Sequence, residues 1–205
     1  MVQNLKAYLA GPDVFLPDAI VIGERKKQLC AKYGFVGLYP FDNEITPDKV
    51  ATRADILIFH ANVAMISEAD FGIVNLTPFR GPNADPGTVF ELGMLSGLGK
   101  PVFGYTNDVD DLLSRIRRTD TVTFDPERKA WRDANGMAIE DFGNAENLMI
   151  EAAFVEQGHP IIRHPAQESE RFRDLTGFEQ CLELAAAARD ESGALFRSSA
   201  AGFRH

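Results

Sequence analysis

Phe71-Gly-Ile-Val-Asn-Leu-Thr-Pro-Phe-Arg-Gly-Pro-Asn-Ala-Asp-Pro-Gly-Thr-Val-Phe-Glu-Leu-Gly93 is the stretch whose reading decides the fold. Its first six residues form an apolar run, bounded by Asp70 and Thr77-Pro78, that reads as a buried strand. Pro86 suits the first position of a helix, and Asp85 just before it can cap the free amides. Over the predicted helix 85–99, Phe90, Met94 and Leu98 share one face with Leu95 beside them, which sets Glu91 among apolar neighbours. Pro101–Tyr105 then reads as another strand. A strand, a helix and a second strand make the repeating unit of a parallel α/β sheet. Asp85 and Glu91 lie six residues apart, one on the loop and one on the helix, so both carboxyls can be aimed at one small ligand. The plain alternative is a capping Asp followed by an ordinary exposed Glu.

Outward from this unit the pattern repeats. Leu5–Ala10 reads as a first strand ending in Gly11–Phe15, and Pro17 and Asp18 open a helix to about Lys32, closed by Gly34. Phe35–Tyr39 reads as a second strand and Pro40–Glu44 as a polar loop. A long helix from about Pro47 to Glu68 carries Ile56, Phe59, Val63 and Ile66 at helical spacing. Such sheets gather ligands at the carboxyl ends of their strands. The segments leaving the first three strands, Gly11–Phe15, Pro40–Glu44 and Thr77–Thr88, are the ones rich in Gly, Pro, Asp and Asn. They converge with Asp85 and Glu91 on one edge.

After Asn107 the periodicity weakens. Asp108–Arg118 reads as a short helix. Val122–Phe124 and Met137–Ile139 are expected to pair as a hairpin, because Asp133–Gly136 is turn-like. This excursion is either a solvated surface feature or a lid. Asn144–Glu156 reads as a helix, His159–Arg163 as a fifth strand and Gly177–Arg189 as the final helix. Residues 1–190 are expected to form one α/β domain with 107–143 as an excursion, and 191–205 a flexible tail.

Composition narrows the function. The chain has 205 residues, 45% hydrophobic and 25% charged, with a net charge of −9. That balance argues against a nucleic-acid polymer or an anionic membrane as partner. Cys30 and Cys181 have neither metal-ligand nor redox spacing, and both fall in predicted helices, so buried thiols and a reducing compartment are expected. Neither a secretory signal nor a spanning apolar run is visible, which points to a cytoplasmic protein. The four histidines, His60, His159, His164 and His205, suggest no zinc site, and there is no dinucleotide fingerprint, Walker loop or nucleophile elbow. No metal or cofactor is expected. A carboxylate on a helix with a second acid nearby suits substitution at an anomeric carbon. One carboxylate attacks to form a glycosyl ester while the other group handles the proton of the leaving group. The positive end of the helix would favour an ionised Glu91. Asp85 could supply the proton if burial and the neighbouring acid raise its pKa.

Tyr8-Leu-Ala-Gly-Pro-Asp-Val-Phe15, Pro40-Phe-Asp-Asn-Glu44, Asn75-Leu-Thr-Pro-Phe-Arg-Gly81 and Asp85-Pro-Gly-Thr-Val-Phe-Glu-Leu-Gly93 together resemble the nucleoside 2-deoxyribosyltransferase family. The similarity runs from about residue 5 to 106, with a further match at Asn147-Leu-Met149. The resemblance implies a flavodoxin-like or Rossmann-like, doubly wound, five-stranded parallel sheet with helices on both faces. It implies transfer of 2-deoxyribose between nucleobases by double displacement, in nucleoside salvage, with 2′-deoxynucleosides and free nucleobases as partners. Glu91 would then be the nucleophile, Asp85 would position or protonate the base, and Tyr8 would orient Glu91. Phe15 would stack on the base. Gly11, Gly87, Thr88, Asn62 and the loop residues Asp42, Asn43 and Glu44 would line the substrate site. Met149 would also line the substrate site, and Asn147 would reach a neighbouring subunit's sugar 5′-hydroxyl, which implies a homo-oligomer. Three departures stand out. Segment 107–143 does not align, the chain ends in Arg204-His205 beyond the usual terminus, and Glu44 replaces an amide found in some members. The rival readings are a 2′-deoxynucleoside 5′-monophosphate N-glycosidase, with Arg80 and Thr88 as the groups near the site for a phosphate, and a nucleotide-sensing module without turnover. The Gly-Thr-Val-Phe-Glu core is also similar to phosphoribohydrolases of the lysine-decarboxylase-like group, but those carry a double glycine where Asp85-Pro86 stands.

Overall fold

A computed structural model describes residues 4–42 and 53–189. In chain order the elements are β1 (Lys6–Ala10), α1 (Ala19–Lys32), β2 (Val36–Leu38), α2 (Ala54–Glu68), β3 (Phe71–Asn75), α3 (Pro86–Gly97), β4 (Val102–Thr106), α4 (Leu112–Thr119), β5 (Thr123–Asp125), β6 (Ala130–Arg132), β7 (Ala138–Ile139), α5 (Leu148–Val155), β8 (Ile162–Arg163) and α6 (Thr176–Ala187). Strands β2, β1, β3, β4 and β8 lie side by side in that order, all parallel. Because β1 is flanked by β2 on one side and β3 on the other, the chain reverses direction across the sheet between β1 and β3. That switch point opens a crevice at the strands' carboxyl ends.

Strand alternation divides the core into two layers. Ala7, Leu9, Phe71, Ile73, Phe103 and Tyr105 face α1 and α6, where Ile22, Cys30, Phe178 and Leu182 complete the packing. Tyr8, Ala10, Val74 and Val102 face the other way, onto Ile66, Leu92, Leu95 and Phe154 of α2, α3 and α5. Central strands β3 and β4 are buried along their whole length, which is why their sequences read as unbroken apolar runs. Helices press close to the sheet: a Cβ on Gly72 would stand 2.4 Å from Leu95 Cδ1, and one on Gly104 2.7 Å from Phe154. Both cysteines are buried, and burial pushes the Cys30 thiol up to about 12. Among the described residues no helix is long and apolar enough to cross a membrane.

Three expectations need correction. Val122–Phe124 and Met137–Ile139 do not pair with each other. Ala130–Arg132 lies between them as β6, pairing antiparallel with β5 on one side and β7 on the other. That middle strand carries no apolar alternation; Trp131 fixes it, packing against Phe124 at 5.0 Å and under the Arg117 guanidinium at 4.0 Å. On α3 the buried residues are Thr88, Leu92 and Leu95, whereas Phe90 and Leu98 are 57% and 52% exposed. The helix carries two apolar stripes, and the Asp85 cap selects the one that includes Thr88. On α2 only Met65 and Ile66 are buried, while Ile56 and Phe59 stay exposed. Its run of four apolar residues, 56–59, gives no single stripe, so periodicity could not choose a face. The part of the expected helix before Arg53 lies outside the described residues.

Candidate active site

The crevice at the β1/β3 switch point holds a cavity of about 520 Å³ lined by Gly11, Val14, Phe15, Pro40, Phe41, Ile58, Asn62, Asp85, Gly87, Thr88 and Glu91. Glu91 is one turn past Thr88 on α3, on the same face, so the stripe that packs α3 onto the sheet also carries the carboxylate inward. Tyr8 reaches it from β1. Strand alternation turns Tyr8 toward α3, and its hydroxyl donates to Glu91 Oε1 at 2.6 Å. Asn62 Nδ2 on α2 donates to the same oxygen at 3.4 Å. Both bonds end on Oε1, and Oε2 accepts none among the described residues. The carboxylate is held by one oxygen and offered by the other.

Burial raises Glu91 to about 7 from an ordinary 4.5; the Tyr8 bond opposes it, the Asp85 and Asp13 charges add to it and the Asn62 bond lowers it. The expectation that the helix terminus would favour the ionised form is therefore reversed. Withdrawal from water outweighs a helix field that acts on Glu91 from a turn away. Tyr8 is raised above its ordinary value, chiefly by burial and then by the Glu91 charge, so it remains a proton donor to Glu91.

Asp85 caps α3 as expected: its Oδ2 accepts from the Thr88 amide at 2.8 Å and the Thr88 hydroxyl at 3.1 Å. Thr88 is thus spent on Asp85. The loop before Asp85 is anchored through the Ala84 amide, which donates to Glu146 Oε1 at 3.0 Å. Glu146 is itself in a buried ion pair with Arg115 of α4 at 2.7 Å.

Gly11 lines the cavity because the chain passes tightly there. A Cβ would stand 2.4 Å from Asp13 Oδ1 and 2.7 Å from Asn75 Cβ. Sequence reasoning missed the reason, a buried polar hub beneath the site. Asp13 accepts from Lys26 Nζ at 2.7 Å, the Tyr39 hydroxyl at 3.3 Å and Asn75 Nδ2 at 3.1 Å. These residues come from the ends of β1, β2 and β3 and from α1, so the hub ties three strand ends together. Lys26 is only 1% exposed, and a lysine inside an amphipathic helix gives no sign of that in sequence. Val14, Pro40, Phe41 and Ile58 were also missed, since apolar wall residues look like any others.

Asp42 and Met149 do not line the cavity, and Asn147, expected to reach a neighbouring subunit's site, does not line this chain's own. Asp42 turns away, taking Lys27 Nζ at 2.7 Å and the Tyr39 amide at 2.9 Å, so it closes its own turn while neighbouring Phe41 lines the wall. Asn147 caps α5 through the Met149 amide at 3.0 Å and donates to Glu140 at 2.6 Å. Met149 is 72% exposed. Asn43 and Glu44 lie outside the described residues. No residue of 107–143 lines the cavity. A larger open groove of about 650 Å³ runs between α1 and the start of α6, where Lys32 pairs with Glu179 and Arg173 with Asp18. Among the described residues no group of three or more His, Cys, Asp or Glu side chains is gathered as a metal site.

Comparison with known proteins bears on the family and the fold. The family profile described as nucleoside 2-deoxyribosyltransferase matches residues 7–149. An uncharacterised protein of Schizosaccharomyces pombe is 30% identical over 178 residues, covering 81% of this chain and 84% of the relative. Among solved structures, the 2-desoxiribosyltransferase from Leishmania mexicana superposes with a TM-score of 0.61 at 27% identity, over 87% of this chain and 97% of that one.

Proposed function

The chain belongs to the nucleoside 2-deoxyribosyltransferase family, and on that premise we propose that it moves 2-deoxyribose between nucleobases by double displacement at Glu91. The observation that carries this reading is the carboxylate itself. It sits in a nucleoside-sized cavity, with Oε1 held by Tyr8 and Asn62 and, among the described residues, no partner on Oε2. In the first step Oε2 attacks C1′ of the sugar. The bond from C1′ to the base nitrogen breaks and its electron pair leaves with the base, which Asp85 orients or protonates. In the second step a nitrogen of the incoming base attacks C1′ while its proton passes to Asp85, the ester bond breaks and Glu91 recovers its carboxylate. Two inversions give net retention at C1′. Phe15 is the surface on which the base stacks. The nucleophile must be ionised, so kcat/KM should rise with pH through about 7.

A homo-oligomer is part of the proposal, with Asn147 and Met149 entering a neighbour's site. The exposure of Met149, and of Phe59 and Phe90, supports such burial on assembly. Light scattering that finds an active monomer would remove this part.

The test incubates the protein with deoxyinosine or thymidine plus free adenine and separates nucleosides and bases by chromatography. New deoxyadenosine with the wild type and none with Glu91→Ala is the expected result. Free base without exchange product would replace transfer by hydrolysis, and the assay would then be repeated with deoxynucleoside 5′-monophosphates. Turnover that survives in Glu91→Ala would remove Glu91 as nucleophile.

A further inference from the structure

The family profile ends at residue 149, yet the chain beyond it reaches Phe79, the ring against which the cavity-lining Phe15 stacks. Phe15, in a turn of only four residues with no side-chain cap, is 55% exposed. One face of its ring lies on Phe79, with centroids 5.1 Å apart and planes 12° from parallel. Phe79 meets the edge of Phe172 at 5.9 Å and 86°. The Arg80 guanidinium lies 4.6 Å from the Phe79 centroid and 5.2 Å from that of Phe15, so it covers the pair from the side. Three residues after Phe15, Asp18 accepts a bidentate pair from Arg173, at 2.8 and 3.0 Å. The segment holding Phe172 and Arg173 is itself fastened to the end of β4. Asn107 Nδ2 donates to the carbonyls of Arg171 and Asp174 at 2.8 and 2.9 Å, and Arg171 pairs with Asp108 at 2.8 Å.

We propose that segment 164–175 fixes the wall on which the nucleobase stacks, with Phe172 acting through Phe79 and Arg173 acting through Asp18 as positioning residues for Phe15. The inference rests on the nucleoside reading of the cavity. Two ties of different chemistry leave this one segment toward Phe15: Phe172 meets Phe79, on which the Phe15 ring lies, and Arg173 holds Asp18 three residues further along the chain. Phe15 stands exposed at the end of a turn whose Pro12 and Asp13 are buried, so its ring orientation depends on what packs against it. Among the described residues none of these side chains hydrogen-bonds or ion-pairs with Glu91, Tyr8 or Asn62, so loosening them changes how well a base is held and leaves the chemical step alone.

The test uses the full chain as wild type, Phe172→Ala, Phe172→Tyr and Arg173→Gln, and measures kcat, the KM for acceptor adenine and the pH dependence of kcat/KM. Phe172→Ala should raise KM by about three- to tenfold, the worth of one aromatic pair. Its kcat and acid limb should stay unchanged. Phe172→Tyr should restore KM, and Arg173→Gln should shift it the same way by less. Arg173 is partly exposed, so this variant keeps the test open if Phe172→Ala fails to fold. Unchanged KM in both variants, or a fall in kcat at constant KM, would overturn the proposal. Calorimetric titration with deoxyinosine separates the two levels. Wild type that neither binds nor turns over removes the nucleoside reading and this inference with it. Wild type that binds no more tightly than Phe172→Ala removes the inference alone.

Discussion

Glu91→Gln should make the protein more stable, and more so as pH rises. Gln keeps an acceptor oxygen for Tyr8 and Asn62 and nearly the same shape, but it cannot ionise. In the wild type, burial moves the carboxyl from an ordinary 4.5 to about 7. At about 1.4 kcal/mol per tenfold change in proton affinity, holding the ionised form in that cavity costs roughly 3 kcal/mol. The part of the side chain that still meets solvent lowers this to about 2–3 kcal/mol. The sign follows from proton binding. The folded state binds this proton more tightly than the unfolded state, so its contribution to wild-type stability is complete below about 4.5 and is lost as pH rises through about 7. The variant escapes that loss. Urea unfolding should therefore show Glu91→Gln ahead by less than about 1 kcal/mol at pH 5 and by about 2–3 kcal/mol at pH 8. In thermal melts at pH 8 the gain is roughly 5–10 °C for a chain of this size. Comparing the two pH values cancels any packing difference between Glu and Gln. An equal gain at both, or none at pH 8, would refute the claim that burial governs this carboxylate.

Two more outcomes follow from the same geometry. Tyr8→Phe removes a bond that favours the ionised form of Glu91, so the acid limb of kcat/KM should move above about 7; a limb that stays in place or moves down would show that Tyr8 does not act on this carboxylate. Lys26→Met leaves Asp13 charged and buried without its cation, which should cost about 3–5 kcal/mol in urea unfolding. Adding Asp13→Asn should recover most of it, and a double variant no more stable than the single one would show that the pair is not coupled.

Much of this protein is legible in one dimension. The alternation of apolar runs with amphipathic stretches carries the parallel α/β class, and the polar character of the segments after β1, β2 and β3 marks the edge where the cavity lies. Asp85 as cap follows from the local motif, while Gly11, Phe15, Gly87, Thr88 and Asn62, which line the cavity, are implied by the family resemblance. The misreadings share one cause. Where a helix carries apolar residues on more than one face, as α2 and α3 do, or where a strand such as β6 is held by a single Trp, no local pattern names the partner. The neighbour that covers a face comes from elsewhere in the chain, and only packing selects it.

The sequence by itself determined which strands and helices build the parallel sheet, in what order, and which carboxylates stand at its carboxyl edge, since these rest on spacing and local propensity. Tertiary structure alone decided the state of those groups. It brought Tyr8, 83 residues away in sequence, onto one oxygen of Glu91. It buried Lys26 against Asp13 beneath the cavity, and it turned Asp42 aside while Phe41 took the wall. A carboxylate's proton affinity depends on the water removed from around it and on the charges within a few ångströms, and neither quantity exists until distant segments have packed.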